Sequence, residues 1–247
     1  MVSELEIKKQ ICDIGKRIYD RRMVAANDGN ISVKISDNEY LCTPTGVSKG
    51  FMTPDYICKI DAEGNVLQAN DNFKPSSEIK MHLRVYQKRP DVKAIVHAHP
   101  IYATSFAIAG VPLTAPIMPE AVIALGYVPI AEYGTPSTME VPDNIEKYLP
   151  YFDAILLENH GALTYSDSLL AAYHKMESLE FYAELLFKSS QLGTPKEFSS
   201  EQVKSLYEVR RQFGLSGKHP ADICPAAKDD GVSCHDCTVP NCCMAGK

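Results

Sequence analysis

Three histidines give the most specific chemical signal in the chain. His97 and His99 stand two positions apart in Ala94-Ile95-Val96-His97-Ala98-His99, a short apolar run that reads as a buried strand. Side chains at i and i+2 of a strand share a face, so both imidazoles point at one spot. Pro100 follows directly and ends the run, placing the pair at a strand's C-terminal edge, where open α/β sheets commonly build their sites. A third imidazole, His160, sits in Glu158-Asn159-His160-Gly161 after the apolar strand Ala154-Ile155-Leu156-Leu157. Three neutral imidazoles that leave a position open are the donor set of a catalytic zinc or a similar divalent ion. The competing account is three strand-end histidines bonded to backbone.

Glu78 is the acid most suited to join them. It follows Pro75-Ser76-Ser77, which opens a helix, and a carboxylate in a first helical turn is favoured by the helix dipole alone. Beside a metal the same carboxylate can ligate the ion and move protons. His82, four residues on, could face the same way as Glu78 and is not read as a ligand. Asp28-Gly29-Asn30, Thr43-Pro44-Thr45-Gly46 and Ser76-Ser77 offer hydroxyls and free backbone N–H groups that suit a phosphate without Lys or Arg. Turns need such residues anyway, and only convergence would make the three a pocket.

The elements that must position these residues follow from spacing. Ile7, Ile11, Ile14 and Ile18 recur at helical intervals within residues 3–26. Alternating segments at 31–35 and 39–42 read as a hairpin, and 57–60 with 66–68 as another. The helix after Pro75 runs to about residue 88, with serine as its N-cap. Short strands are expected near 128–131 and 154–157, then helices over 168–191 and 200–213.

Taken in order, Gly29-Asn30-Ile31-Ser32, Thr43-Pro44-Thr45-Gly46, Pro75-Ser76-Ser77-Glu78, His97-Ala98-His99 and Asn159-His160-Gly161 resemble the class II aldolase/adducin family over roughly residues 5–215. The resemblance implies an α/β, three-layer α/β/α fold around a mostly antiparallel sheet, in a homotetramer with sites between subunits. It implies one Zn²⁺ per subunit on His97, His99 and His160, with Glu78 as fourth ligand and acid/base. Substrate phosphate would lie on Asn30, Thr45, Gly46, Ser76 and Ser77. The implied reaction cleaves a ketose 1-phosphate into dihydroxyacetone phosphate and an aldehyde through a zinc-stabilised enediolate. Glutamate at position 78 favours the aldolase branch over the L-ribulose-5-phosphate 4-epimerase branch, where aspartate is expected. Two tyrosines of similar aldolases are missing: Phe213 occupies one place, and Pro116-Ile117-Met118-Pro119-Glu120 the other. Glu120 is thus a replacement proton donor or simply an acid after a helix-opening proline.

Composition excludes several other classes. The chain has 247 residues, 25 Lys+Arg against 31 Asp+Glu, and a net charge of −6, which argues against nucleic-acid binding through a general basic surface. No apolar run approaches the roughly 18 residues of a membrane span, and the N-terminus lacks a signal peptide's apolar stretch, so a soluble, cytoplasmic protein is expected. Three of the eight cysteines, Cys12, Cys42 and Cys58, are scattered through the body. Cys224, Cys234, Cys237, Cys242 and Cys243 crowd the end. The domain reading is therefore a catalytic domain at 1–215 and a cysteine-rich extension at 216–247. Cys-x-x-Cys spacing suits a second metal or an iron–sulfur cluster; a flexible reduced tail and an interaction tag are the other readings. A non-catalytic scaffold acting through that tail is the rival to an enzyme.

Overall fold

The computed structural model describes residues 2–70 and 72–220. Eight strands form one mixed sheet: β1 (Asn30–Lys34), β2 (Tyr40–Cys42), β3 (Cys58–Ile60), β4 (Val66–Gln68), β5 (Ala94–Ala98), β6 (Ile130–Ala131), β7 (Ala154–Leu157) and β8 (Gly161–Ser166). Their order is β4-β3-β2-β1-β5-β8-β7-β6, and every pairing is antiparallel except β6 with β7. The helices are α1 (Glu4–Asp20), α2 (Ile79–Lys88), α3 (Ile101–Ile108), α4 (Pro119–Ala124), α5 (Glu140–Glu146), α6 (Leu169–Leu192) and α7 (Ser200–Gln212).

Strand alternation divides the interior into two apolar layers. Ile31, Val33, Val96, Leu156 and Ala162 face one side and pack with Ile11, Ile14 and Ile18 of α1, Ala103 and Ala107 of α3, and Met176 and Leu179 of α6. Tyr40, Ile95, Ile155, Leu163 and Tyr165 face the other and meet Met81 and Val85 of α2 and Val141 and Ile145 of α5. This is the expected α/β/α sandwich around a mostly antiparallel sheet.

Several elements depart from expectation. The first helix stops at Asp20 rather than running to residue 26, and left-handed backbone at Arg22 and Ala26 makes the turn. β8 and α5 are elements that the sequence pattern does not announce. β8 is buried along its whole length, so it lacks the alternation that marks a half-buried strand. Residues 216–218 also belong with the body: Ser216 Oγ donates to Asp167, and the Lys218 amide donates to Asp153 Oδ2 at 3.0 Å. His219 is fully buried, with Nε2 2.8 Å from the Val122 carbonyl oxygen. The packed body therefore continues past the boundary set at 215.

One polar cluster crosses the α2 layer. Ser32 Oγ, on β1, hydrogen-bonds His82 Nδ1 at 2.7 Å and the Tyr86 hydroxyl at 2.8 Å, both on α2. This cluster fixes the helix's rotation on the sheet. His82 is 0% exposed, and burial lowers its pKa from 6.5 to about 4, against a smaller opposing effect of Glu78. The folded value lies below the unfolded one, so this contribution to stability is complete above about pH 6.5 and lost as pH falls toward 4. That difference corresponds to about 3 kcal/mol. Denaturant unfolding of metal-free protein should show His82→Asn losing less stability than the unmodified chain over that interval; parallel pH profiles would refute the assignment.

Candidate active site

The histidines meet where β5 ends. His97 and its neighbours pair with β1 and β8 (Asn30 opposite His97, His97 opposite Leu163), and this register brings three separate segments to one spot. His97 Nδ1 donates to the Ala162 carbonyl at 2.9 Å, which leaves Nε2 with its lone pair facing the site. His99 Nδ1 lies 3.5 Å from Asp28 Oδ2, and its Nε2 is 3.1 Å from that of His97. His160 occupies the β7–β8 turn, where Asn159 adopts the left-handed conformation that asparagine tolerates. Glycine is required at 161: a Cβ there would fall 2.5 Å from the Ala98 carbonyl oxygen and 2.6 Å from His99 Cδ2.

One nitrogen from each of His97, His99 and His160 lies within 4.8 Å of the others. With the Nε2 atoms of His97 and His99 turned toward one another at 3.1 Å, this set of three imidazoles fits a divalent metal. Outer partners, Ala162 O for His97 and Asp28 for His99, orient the rings as ligand imidazoles usually are oriented. Burial pushes the pKa of His97 well below its ordinary value and lowers that of His99 too, so both favour the neutral form that binds metal. Among the body cysteines, burial raises the thiol pKa of Cys12, Cys42 and Cys58, which keeps them protonated and unreactive.

Glu78 is not the first-turn acid that sequence suggested. α2 begins at Ile79, and Glu78 is the residue before it, with no side-chain capping bond. Its carboxylate turns inward instead: Oε1 is 3.2 Å from His160 Nε2, and Oε2 is 3.4 Å from His97 Nε2. Asn30 Nδ2 donates to Oε2 at 2.8 Å. Burial favours the neutral acid, but interaction with His97 and the hydrogen bond to His160 hold the carboxyl well below the usual range.

The three turns converge. Thr43 Oγ1 accepts from the Ile31 amide at 3.1 Å, the Ser76 amide donates to Thr43 O at 3.1 Å, and the Thr45 amide donates to Lys74 O at 2.9 Å. Asn30 and Ser76 are buried, while Thr45, Gly46 and Ser77 are exposed at the rim. Asp28 departs from the anion-turn reading, since its carboxylate lies beside His99. Glu120 stands exposed in the first turn of α4, and no hydrogen bond or ion pair links it to the histidines among the described residues. Phe213 caps α7 and is exposed. Cys224, Cys234, Cys237, Cys242 and Cys243 lie outside the described residues. Sequence reasoning missed Lys49, which is buried at 1% exposure; a lysine in a turn carries no signal that it will point inward.

Comparison with known proteins gives the family. The family described as Class II Aldolase and Adducin N-terminal domain matches residues 9–187. An L-fuculose phosphate aldolase of Methanococcus maripaludis (strain C5) is 36% identical over 184 residues, covering 74% of this chain and 96% of the relative. A 3-oxo-tetronate 4-phosphate decarboxylase of Haemophilus influenzae is 33% identical over 190 residues, 75% of this chain and 89% of the relative. A solved structure named L-fuculose 1-phosphate aldolase is 31% identical with a TM-score of 0.77, covering 87% of this chain and 99% of that one. The chain belongs to the class II aldolase/adducin family, whose aldolases are metal-dependent lyases.

Proposed function

We propose that the protein is a zinc-dependent aldolase that cleaves a ketose 1-phosphate such as L-fuculose 1-phosphate into dihydroxyacetone phosphate and an aldehyde. The observation that carries this reading is the meeting of three imidazoles and a carboxylate beside three turns able to take a phosphate. His97, His99 and His160 would hold the metal, with Glu78 as fourth ligand. A divalent ion there supplies Lewis-acid stabilisation of the electron pair left when the C3–C4 bond breaks. Asn30, Thr45, Gly46, Ser76 and Ser77 hold the phosphate and position the bond for cleavage. Glu78, fixed by Asn30, moves the proton at C3. Glu120 is the candidate for taking the proton of the C4 hydroxyl as the aldehyde forms, and for returning it in the reverse condensation, on the strength of its place in the segment where a tyrosine is missing. A homotetramer and a cytoplasmic location belong to the same proposal. No helix among the described residues is long and apolar enough to cross a membrane.

The decarboxylase relative supports a second reading. Loss of CO₂ from a 3-oxo-tetronate 4-phosphate and retro-aldol cleavage of a ketose 1-phosphate leave the same three-carbon phosphate with a pair of electrons on the same carbon. One site serves both, and the departing group separates them. A coupled assay for dihydroxyacetone phosphate, run in parallel with CO₂ detection, decides between them. Aldehyde release from L-fuculose 1-phosphate is the expected result, and CO₂ release from the tetronate alone would replace the aldolase reading. Conversion of L-ribulose 5-phosphate to D-xylulose 5-phosphate would instead indicate the epimerase.

A further inference from the structure

Lys49 is a buried cation that the proposed reaction does not use. It opens the 3-10 turn Lys49–Phe51, which lies against α1. A Cβ at Gly15 of α1 would stand 2.7 Å from the Lys49 carbonyl oxygen, so glycine there permits the close approach. The side chain runs inward, and Nζ donates to Asn27 O at 2.8 Å and to Val47 O at 2.7 Å. Those carbonyls flank Asp28-Gly29-Asn30 on one side and Thr45-Gly46 on the other. No carboxylate lies within ion-pair distance of Nζ among the described residues. Burial lowers the ammonium pKa to about 8, with Asp28 and Glu78 opposing that shift.

A buried ammonium without a carboxylate partner is costly, and here it joins two of the turns assigned to phosphate. Asn30, Thr45, Gly46, Ser76 and Ser77 are uncharged, while Asp28 and Glu78 add negative charge near Lys49. An anion arriving at the turns would meet Lys49 as the positive charge behind them, in an interior where charges act over several ångströms. We propose that Lys49 is a positioning residue for the substrate phosphate, clamping the two turns through their carbonyls and supplying the charge that their neutral donors lack. This rests on the phosphate role proposed for Asn30, Thr45 and Gly46.

The test uses the full zinc-loaded chain, with inorganic phosphate as the probe. Thermal stabilisation by phosphate at constant ionic strength is measured for unmodified protein, Lys49→Met and Lys49→Gln, alongside kinetics on the phosphorylated ketose. The phosphate concentration for half-maximal stabilisation should rise at least about 10-fold in both variants. KM should rise by a similar factor and kcat by contrast change less than about 3-fold, a split that general loosening of the fold would not produce. Lys49→Gln keeps an N–H donor, so it also guards against failure of the methionine variant to fold. An unchanged phosphate midpoint in a folded variant, or no stabilisation of the unmodified protein, would overturn the proposal. Phosphate binding that depends on Lys49 without any ketose cleavage would uphold it while removing the aldolase reading.

Discussion

Glu78→Gln is expected to lower kcat by about 10²–10⁴-fold, the usual contribution of a positioned acid/base, while metal stays bound. Glutamine matches glutamate in shape and can still meet Asn30 Nδ2 through its carbonyl oxygen, so the bond at 2.8 Å has a counterpart. What disappears is the ability to accept and return a proton. Three histidine nitrogens remain to hold the ion. KM should change little, because the phosphate turns are untouched, and kcat and kcat/KM should fall together. Steady-state kinetics with metal analysis of the same preparation provide the check. Metal loss parallel to activity would make Glu78 chiefly a ligand.

His99→Ala should be more damaging still. It removes one of three convergent nitrogens and strands Asp28, whose Oδ2 lies 3.5 Å from His99 Nδ1. Lewis-acid stabilisation contributes several kcal/mol, and each 1.36 kcal/mol is a factor of ten, so the loss should reach at least about 10³-fold. His99 is only partly buried and stands just past the end of β5, so the fold should survive. Circular dichroism and thermal melts would show native structure, while metal content falls below one ion per chain. A variant that retains both metal and turnover would remove His99 from the site.

Much of this site is legible in the chain because the decisive geometry is local. His97 and His99 share a face through strand periodicity alone, and Pro100 marks where that strand ends. Glu78 is placed correctly relative to its helix only to within one residue. That single step matters, since it turns a dipole-favoured acid into one committed to the histidines. Convergence is a different kind of fact. Asn30 lies opposite His97, and Leu163 opposite His97 on the other side, and both depend on sheet register between segments more than sixty positions apart. Lys49 shows the limit most clearly. Its inward path depends on Gly15 and on the Asn27 carbonyl, neither of which alters the local pattern around Val47-Ser48-Lys49-Gly50. β8 escapes notice because its six residues are buried on both faces, with no alternation to display.

Metal dependence tests the account most directly. Protein stripped with a chelator is titrated with Zn²⁺, and bound metal and dihydroxyacetone phosphate release from a ketose 1-phosphate are read on the same samples. No turnover in the stripped protein, followed by a linear rise that ends at one ion per chain, is the predicted result. Full turnover without metal would contradict it.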